Sequence, residues 1–456
     1  MRRQRLTVID PAAVSGAAEP VRDAEIARRM AGFGPFEPEP EIAVAVSGGP
    51  DSLALALLLQ RWTARFGGRV HAVTLDHGVR SESADEAVWV GEQLAAHGMA
   101  HSILTWRPGS DAQVTHAAAR TARYARLAAW CRERGILHLA LAHHRDDQAE
   151  TLLARIRMNT GPDGLAGMPA ERALRDVRLL RPLLDLPKAR LEATLAALGQ
   201  PWVADPLNAD LRYGRPHIRA CLPQLEAAGV TAERLAAFAH AMGHARHAMD
   251  AARAELAARA VRVLPAGYAE VDVAAIVNAP EPVGGAVLGR VLRTVGGATH
   301  TPRTARLQRL LAALREQPAR AHTLGGCRIV PRRGGWLVLR EPGRAPTLAV
   351  EPGQDVSYDG RFHAIIAGTR GAGRALTLGP LGEGGWAALA AQVPELRATA
   401  LPPPVRPALP ALRDGAGVAE VPGLGWRRSE DAPGLAFWAW SPARAVGEAI
   451  FTVAPA

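Results

Sequence analysis

Six residues, Ser47-Gly48-Gly49-Pro50-Asp51-Ser52, stand between two apolar runs, Ile42 to Val46 and Leu53 to Leu59. The first run is short, Val-rich and uncharged, which suits a strand buried on both faces of a parallel sheet. The second is rich in Leu and Ala and suits a helix. A turn of small residues between strand and helix leaves several backbone N–H groups without partners at the positive end of the helix, a geometry that holds a phosphate group. The Walker pattern would close such a turn with Lys followed by Ser or Thr, but here the turn closes with Asp51-Ser52. An acidic residue in a phosphate loop points to magnesium or to polar contacts rather than to a lysine clamp. A bare Ser-Gly-Gly could be an ordinary turn that caps a helix. All six residues in a strand–turn–helix setting argue for the phosphate loop.

The pattern downstream continues the alternation. Strands are expected at Val70 to Leu75, His101 to Trp106 and Leu137 to Ala142, and helices at Ser83 to His97, Thr115 to Arg134 and Asp147 to Met158. Short apolar strands alternating with helices specify an α/β fold built on a doubly wound parallel sheet. Ligands of such sheets bind beyond the carboxyl ends of the strands, where the polar motifs of this chain fall. The expected division is a leading segment at 1–40, a nucleotide-binding catalytic domain at 41–220, a helical connector at 221–264, a second α+β domain at 265–342 and a Pro/Gly-rich region at 343–456. In the second domain a helix is expected at Thr304 to Glu316. A hairpin pairs Cys327-Arg328-Ile329-Val330 with Trp336-Leu337-Val338-Leu339. Beyond Gly343 only short strand-like pieces such as Arg361 to Ala367 are readable.

Composition narrows the classes. No apolar run approaches the roughly 20 residues needed to cross a bilayer, and the basic start, Met1-Arg2-Arg3-Gln4-Arg5, has no apolar core behind it. Cys131, Cys221 and Cys327 are far apart and form no Cys-x-x-Cys pair. They argue for a reducing, cytoplasmic setting and against a disulfide framework, a zinc site or an iron–sulfur site. The net charge of +10 favours a polyanionic partner, although Lys188 is the only lysine and the arginines are spread along the whole chain.

Four further segments carry chemistry. Asp76-His77-Gly78-Val79-Arg80 ends the second strand at the same sheet edge as the phosphate loop. Its acid, imidazole and guanidinium can contact a nucleotide, or can form no more than a polar turn. Arg120 and Arg123, three apart on a helix, share one face and can grip phosphates. In Ala142-His143-His144-Arg145-Asp146-Asp147-Gln148-Ala149-Glu150-Thr151, Asp147 and Glu150 fit a capping box with Asp147 as the cap. The same spacing places His143, Asp147 and Glu150 on one face beside the cleft, where paired carboxylates can hold an ammonium group or take its proton. Gly161 to Met168 reads as a flexible loop able to close over a substrate. Trp202 to Arg219 interleaves aromatics with Arg212, Arg215 and Arg219, which suits RNA or a domain connector.

Together these residues resemble the tRNA(Ile)-lysidine synthase family of the N-type ATP pyrophosphatase (PP-loop) group. The matches are Ser-Gly-Gly-x-Asp-Ser at 47–52, His-Gly-x-Arg at 77–80, Arg-x-x-Arg-Tyr at 120–124 and Asp-Asp-Gln-Ala-Glu-Thr at 146–151. Gly-Leu-x-Gly-Met at 164–168, Arg181-Pro182-Leu183-Leu184 and Trp-x-x-Asp-Pro-x-Asn at 202–208 complete the set. They cover residues 40–220, and the first marks only the wider group. The resemblance implies an adenine-nucleotide α-hydrolase-like fold and a ligase that uses ATP and Mg2+. ATP activates the 2-carbonyl oxygen of the wobble cytidine in a CAU-anticodon tRNA(Ile), and the side-chain amine of free L-lysine then displaces AMP. It further implies that backbone groups of Ser47, Gly48, Gly49, Pro50, Asp51 and Ser52 hold the departing pyrophosphate and that Asp51 places magnesium. Asp76, His77 and His143 are assigned to the nucleotide, Arg120 or Arg123 to developing phosphate charge, and Asp147 and Glu150 to the lysine and its proton. The basic second domain is expected to contact the tRNA.

Two positions depart from the family pattern: Met158-Asn159 stands in place of Arg-Gly, and Pro216 in place of Asn. Arg155 or Arg157 is the expected substitute for the missing loop charge. The alternatives are a PP-loop tRNA thiolase, which needs a cysteine pair, an amidating synthetase, which needs a glutaminase partner, and a non-catalytic RNA- or nucleotide-binding module. The oligomeric state is left open, a homodimer among the options.

Overall fold

The computed structural model describes residues 7–13, 18–76, 82–105, 116–174, 176–204, 214–368 and 375–454. The chain divides into two units, Met1–Ala248 with Ala449–Ala456, and Met249–Glu448.

The apolar runs of the first unit become the strands of one sheet. In order the elements are β1 (Val8–Ile9), α1 (Asp23–Ala31), β2 (Glu41–Ala45), α2 (Pro50–Ala64), β3 (Arg69–Asp76), α3 (Glu82–Ala95), β4 (Ala100–Thr105) and α4 (His116–Glu133). Next come β5 (His138–Ala140), α5 (Arg145–Arg157), α6 (Pro162–Leu165), β6 (Glu171–Ala173), β7 (Arg178–Leu180), α7 (Lys188–Ala197), β8 (Trp202–Val203), α8 (Gly214–Ala227) and α9 (Ala232–Ala260). The main sheet has the order β4-β3-β2-β5-β7-β6. Its pairs are parallel except for the antiparallel edge pair β6–β7. Helix α2 is apolar nearly all round and buries Leu53 through Leu59 against this sheet, as expected for a helix inside the fold.

The strand order places the site. From β2 the chain winds outward through β3 and β4, then crosses to the other side of β2 to form β5. The loops after β2 and β5 therefore open a crevice at the carboxyl ends of the two central strands, the switch point where such sheets bind ligands. The phosphate loop follows β2, and His143 and His144 follow β5.

The second unit contains β9 (Val261–Leu264), β10 (Tyr268–Val271), α10 (Val273–Asn278), α11 (Glu281–Gly296), α12 (Thr304–Glu316), β11 (His322–Leu324), β12 (Cys327–Arg332) and β13 (Gly335–Arg340). These strands form an antiparallel sheet, β11-β12-β13-β10-β9, over a core of Val287, Leu288, Val291, Leu292 and Val295 from α11. The β12–β13 pair is the expected hairpin, with Arg332 opposite Gly335.

Beyond residue 343 there is far more regular structure than the sequence shows. Among the described residues lie β14 (Leu348–Val350), β15 (Asp355–Tyr358), β16 (Phe362–Ile366), β17 (Leu376–Pro380), α13 (Gly382–Gln392), β18 (Pro410–Asp414), β19 (Gly417–Val421), β20 (Trp426–Arg427) and β21 (Leu435–Trp440). They form two sheets, β14-β17-β18-β19-β20 and β15-β16-β21. Strands this short, broken by Gly and Pro, give period-2 alternation too few residues to stand out. Among the described residues no helix is long and apolar enough to cross a membrane.

Candidate active site

The turn from β2 into α2 is built by its small residues. Gly48 has φ +82°, and a Cβ there would lie 2.9 Å from Val90 Cγ2, so both conformation and space require glycine. Gly49 is extended and caps α2, with Pro50 in the first turn, where its missing N–H costs nothing. The Ser52 hydroxyl donates to Gly49 O at 3.0 Å and accepts from the Ser47 N–H at 3.1 Å, which closes the loop on itself. Val203 of β8 donates to Gly48 O at 2.9 Å and braces the loop from the far side. The first-turn N–H groups of α2 have no intrahelical acceptors and form the anion-facing end.

Asp51 lies in that first turn and points toward α5. Its Oδ2 is 3.6 Å from His144 Nε2, and its buried Oδ1 has no hydrogen-bond partner among the described residues. His144 is 5% exposed and also meets Asp146 Oδ2 through Nδ1 at 3.3 Å and Asp147 Oδ2 through Nε2 at 3.5 Å. Burial disfavours the imidazolium, but the carboxylates of Asp146 and Asp51, with Asp147 behind them, outweigh burial and raise the His144 pKa to about 10. His144 is therefore charged at neutral pH. Asp146 is pushed up by burial but more strongly down by His144 and by the Lys188 N–H, which it accepts at 3.1 Å, so its pKa falls below the usual range.

Helix α5 starts two residues earlier than expected, and this corrects the capping assignment. His144 is the cap, and Asp147, at the third helical position, accepts the His144 N–H at 3.2 Å. Glu150 is 2% exposed and sits against Arg219 of α8, with Nε as the nearer donor and Nη2 3.4 Å from Oε2. The acid read as half of an ammonium clamp thus has its own guanidinium. His143 is half-buried, and Arg181 Nε lies 3.3 Å from its Nδ1.

The Gly161–Met168 segment is not the slack loop that was expected. It contains α6, and its carbonyls at Gly164 and Gly167 both accept from Arg155 Nη1. Gln148 holds Met168 from both sides, accepting its N–H at 2.7 Å and donating to its carbonyl at 3.0 Å. Gly167 has φ +64°, and a Cβ there would strike Gln148. The Arg155 guanidinium thus lies on this turn, while Arg157 is exposed.

Of the residues singled out in the sequence, Ser47 to Ser52, Asp51, His143, Asp147 and Glu150 flank the β2–β5 crevice. Asp76 ends β3 and accepts from the Ser83 hydroxyl. Arg123 is half-buried on α4, its guanidinium 5.8 Å from the Tyr124 ring centroid. Arg120 is on α4, but its side chain lies outside the described residues, as do His77 and Arg80. His144 has no role in the sequence reading, Arg181 enters it only within a motif, and Arg219 only as one of three arginines suited to RNA; their pairing with Asp51, His143 and Glu150 is new. His144 carried a usable signal, because it directly precedes the acidic helix start.

The family model of the PP-loop domain matches residues 22–225. The tRNA(Ile)-lysidine synthase of Ruegeria pomeroyi is 37% identical over 326 residues, 72% of this chain and 77% of that protein. The proteins of the same name from a Methylobacterium species and from Methylobacterium nodulans are 39% and 40% identical, covering 73% and 74% of this chain and 99% and 98% of their own lengths. The chain belongs to the tRNA(Ile)-lysidine synthase family. Its two departures from the lysidine synthase pattern fit the backbone. Asn159 takes φ +49°, a left-handed conformation that asparagine tolerates and glycine would adopt freely. Pro216 falls in the first turn of α8, where proline is accommodated. The cysteines do not suit the thiolase alternative. Burial pushes the Cys131 and Cys327 thiols up to about 12, and Cys221 is exposed on α8.

Proposed function

We propose that this chain is a ligase that joins free L-lysine to the 2-position of the wobble cytidine of a CAU-anticodon tRNA(Ile) at the expense of ATP. The observation that carries the reading is the phosphate loop of a lysidine synthase family member that places Asp51, with one oxygen that no described residue engages, against the acidic start of α5. In the first step the cytidine O2 attacks the α-phosphorus of ATP, and pyrophosphate leaves. The backbone N–H groups of the Ser47–Ser52 turn hold the departing phosphates at the positive end of α2.

The residues fit a magnesium ion. A carboxylate beside a phosphate loop, with one oxygen that no described residue engages, matches an ion that takes one or two protein oxygens and completes its shell with phosphates and water. Asp51 would hold it, and the ion would neutralise charge on the departing pyrophosphate. His144, charged and fixed among three aspartates, holds Asp51, Asp146 and Asp147 in register.

In the second step the lysine amine attacks C2, its proton passes to a carboxylate, and AMP leaves. A lysine amine has a reference pKa of about 10.4, so it must be deprotonated before it attacks. Asp147 and Glu150 are assigned to the lysine; Glu150 has both oxygens against Arg219, and Asp147, which meets His144, is taken as the proton acceptor. Arg123, with Arg120, is assigned to phosphate charge, and Asp76, His77 and His143 to the nucleotide. The second unit, with exposed arginines on α12, is assigned to the tRNA body. Such a reaction belongs in the cytoplasm.

The test incubates purified protein with magnesium-ATP, radiolabelled lysine and an unmodified CAU-anticodon transcript. Label enters the RNA with stoichiometric pyrophosphate release and is lost in Asp51→Asn. If ATP and tRNA bind tightly but no label enters the RNA, the lysine assignment is wrong.

A further inference from the structure

After Glu448 the chain rejoins the first unit, and residues 450–454 lie along it as a strap. The strap is hydrogen-bonded to the segment that supports the candidate catalytic groups. Thr452 makes the main attachment. Its carbonyl accepts the Ala170 N–H at 2.9 Å, and its hydroxyl accepts the Glu171 N–H at 2.7 Å while donating to Glu171 O at 2.9 Å.

Glu171 opens β6, the edge strand of the main sheet, so part of this contact covers an otherwise open edge. The neighbouring bonds carry it further. Ala170 O accepts the Arg181 N–H at 2.8 Å, Pro169 O accepts from Arg181 Nη1 at 2.7 Å, and Arg181 Nε reaches His143 Nδ1. Arg181 is 3% exposed, so protein partners, these among them, and not water set its orientation.

Phe451 makes a second, separate attachment. Its ring is buried 4.7 Å from the Arg246 guanidinium carbon, and Arg246 donates at 2.8 Å to Asp163 O in α6. Its carbonyl lies 2.8 Å from His247 Nδ1. Helix α9 makes room for the ring at Gly243, where a Cβ would lie 3.1 Å from Phe451 Cε1 and 3.4 Å from Val453 Cγ2. One strap therefore reaches both ends of the 161–171 segment, Asp163 through Arg246 and Ala170–Glu171 through Thr452.

We propose that Phe451 and Thr452 are positioning residues of the reaction site, setting the 161–171 segment and, through Arg181, the orientation of His143. This rests on the assignment of His143 to the nucleotide under the proposed function. Asp51, Asp147 and Glu150 also have contacts with His144 and Arg219 that do not pass through the strap, so loosening it weakens ATP binding more than the chemical step.

The test uses Thr452→Val and Phe451→Leu, which keep apolar bulk but remove the hydroxyl and the ring, together with Thr452→Ser, which restores the hydroxyl. In the full-length protein the double variant raises the KM for ATP about 10-fold, with kcat within about 3-fold and the melting temperature little changed. Thr452→Ser returns the KM toward that of the unmodified protein. Direct ATP binding by calorimetry falls in parallel, a readout that does not depend on lysine transfer. If the unmodified protein binds ATP but transfers no lysine, the reaction assignment fails while the calorimetry still decides the strap. An unchanged ATP affinity, or a loss of kcat that tracks the melting temperature and is not rescued by Thr452→Ser, overturns the proposal.

Discussion

Each unit of the molecule contains a buried charge cluster, and the two are composed in opposite ways. In the second unit Asp359 is enclosed by guanidiniums. It accepts from Arg340 through both oxygens at 2.8 and 2.9 Å and from Arg361 Nε at 2.9 Å, and Arg340 also donates to the carbonyls of Gly326 and Arg344. Arg361 is 1% exposed, and burial holds its pKa below the usual arginine value. In the first unit three carboxylates, from Asp51, Asp146 and Asp147, converge on the imidazolium of His144, and one oxygen of Asp51 has no partner among the described residues. The arginine-rich cluster surrounds its acid with protein donors and joins β13 to the turn before β16. Under the proposed function, the acid-rich cluster would take part of its coordination from magnesium and the nucleotide. Burial does not distinguish the two, and composition does: the closed cluster sets one acid among guanidiniums, the other sets three acids around one imidazolium.

The sharpest way to break this comparison is to open the closed cluster. Asp359→Ala leaves two guanidiniums facing each other in the core, and the second unit should lose about 3–5 kcal/mol, measured as a lower denaturant midpoint. A loss below 1 kcal/mol would show that the cluster is not structural. Asp51→Asn should act in the opposite way. Stability should hold or rise slightly as three acids become two, while lysine transfer falls on the order of 10²–10³-fold. Chelating magnesium should abolish turnover of the unmodified enzyme, and restored magnesium should recover it. If Asp51→Asn instead unfolds the protein, the acid-rich cluster is scaffold as well.

A subtler pair separates the two acids of α5. Asp147→Asn should lower kcat about 100-fold as the proton acceptor is lost. Glu150→Gln should act mainly through KM for lysine, by about 10-fold, because Arg219 is released from its ion pair. Equal effects on kcat would remove the distinction drawn from the Arg219 contact. The smallest expected effect is at the family departure. Asn159→Gly should stabilise the protein by at most about 1 kcal/mol, seen in the thermal midpoint, because φ +49° costs glycine less than asparagine.

Local chemistry was legible wherever it lay within a few consecutive residues. Gly48 and Gly49 announced a turn, Asp51 announced a phosphate loop without a lysine clamp, and the strand–helix alternation around them announced the sheet. The Cys327–Leu339 hairpin and the Thr304–Glu316 helix were readable for the same reason. The capping residue of α5 was misassigned because Asp147 and His144 can both precede a helix, and only the backbone shows which one is extended. Gly161–Met168 was read as slack because its glycines carry no mark of the side chains that hold them, Arg155, Gln148 and Arg246. The sheets beyond residue 343 were hidden because their strands are two to six residues long.

By itself the sequence determined the fold class, the phosphate loop and the family, because each depends on local patterns that survive in one dimension: apolar period, turn chemistry and motif order. The tertiary structure alone decided the partners. His144 among three aspartates, Glu150 against Arg219 and Thr452 on Glu171 join residues as much as 281 positions apart. Nothing in a linear pattern marks which charge will be answered by a distant one, because hydrogen bonds and ion pairs act over a few ångströms of space whatever the distance along the chain.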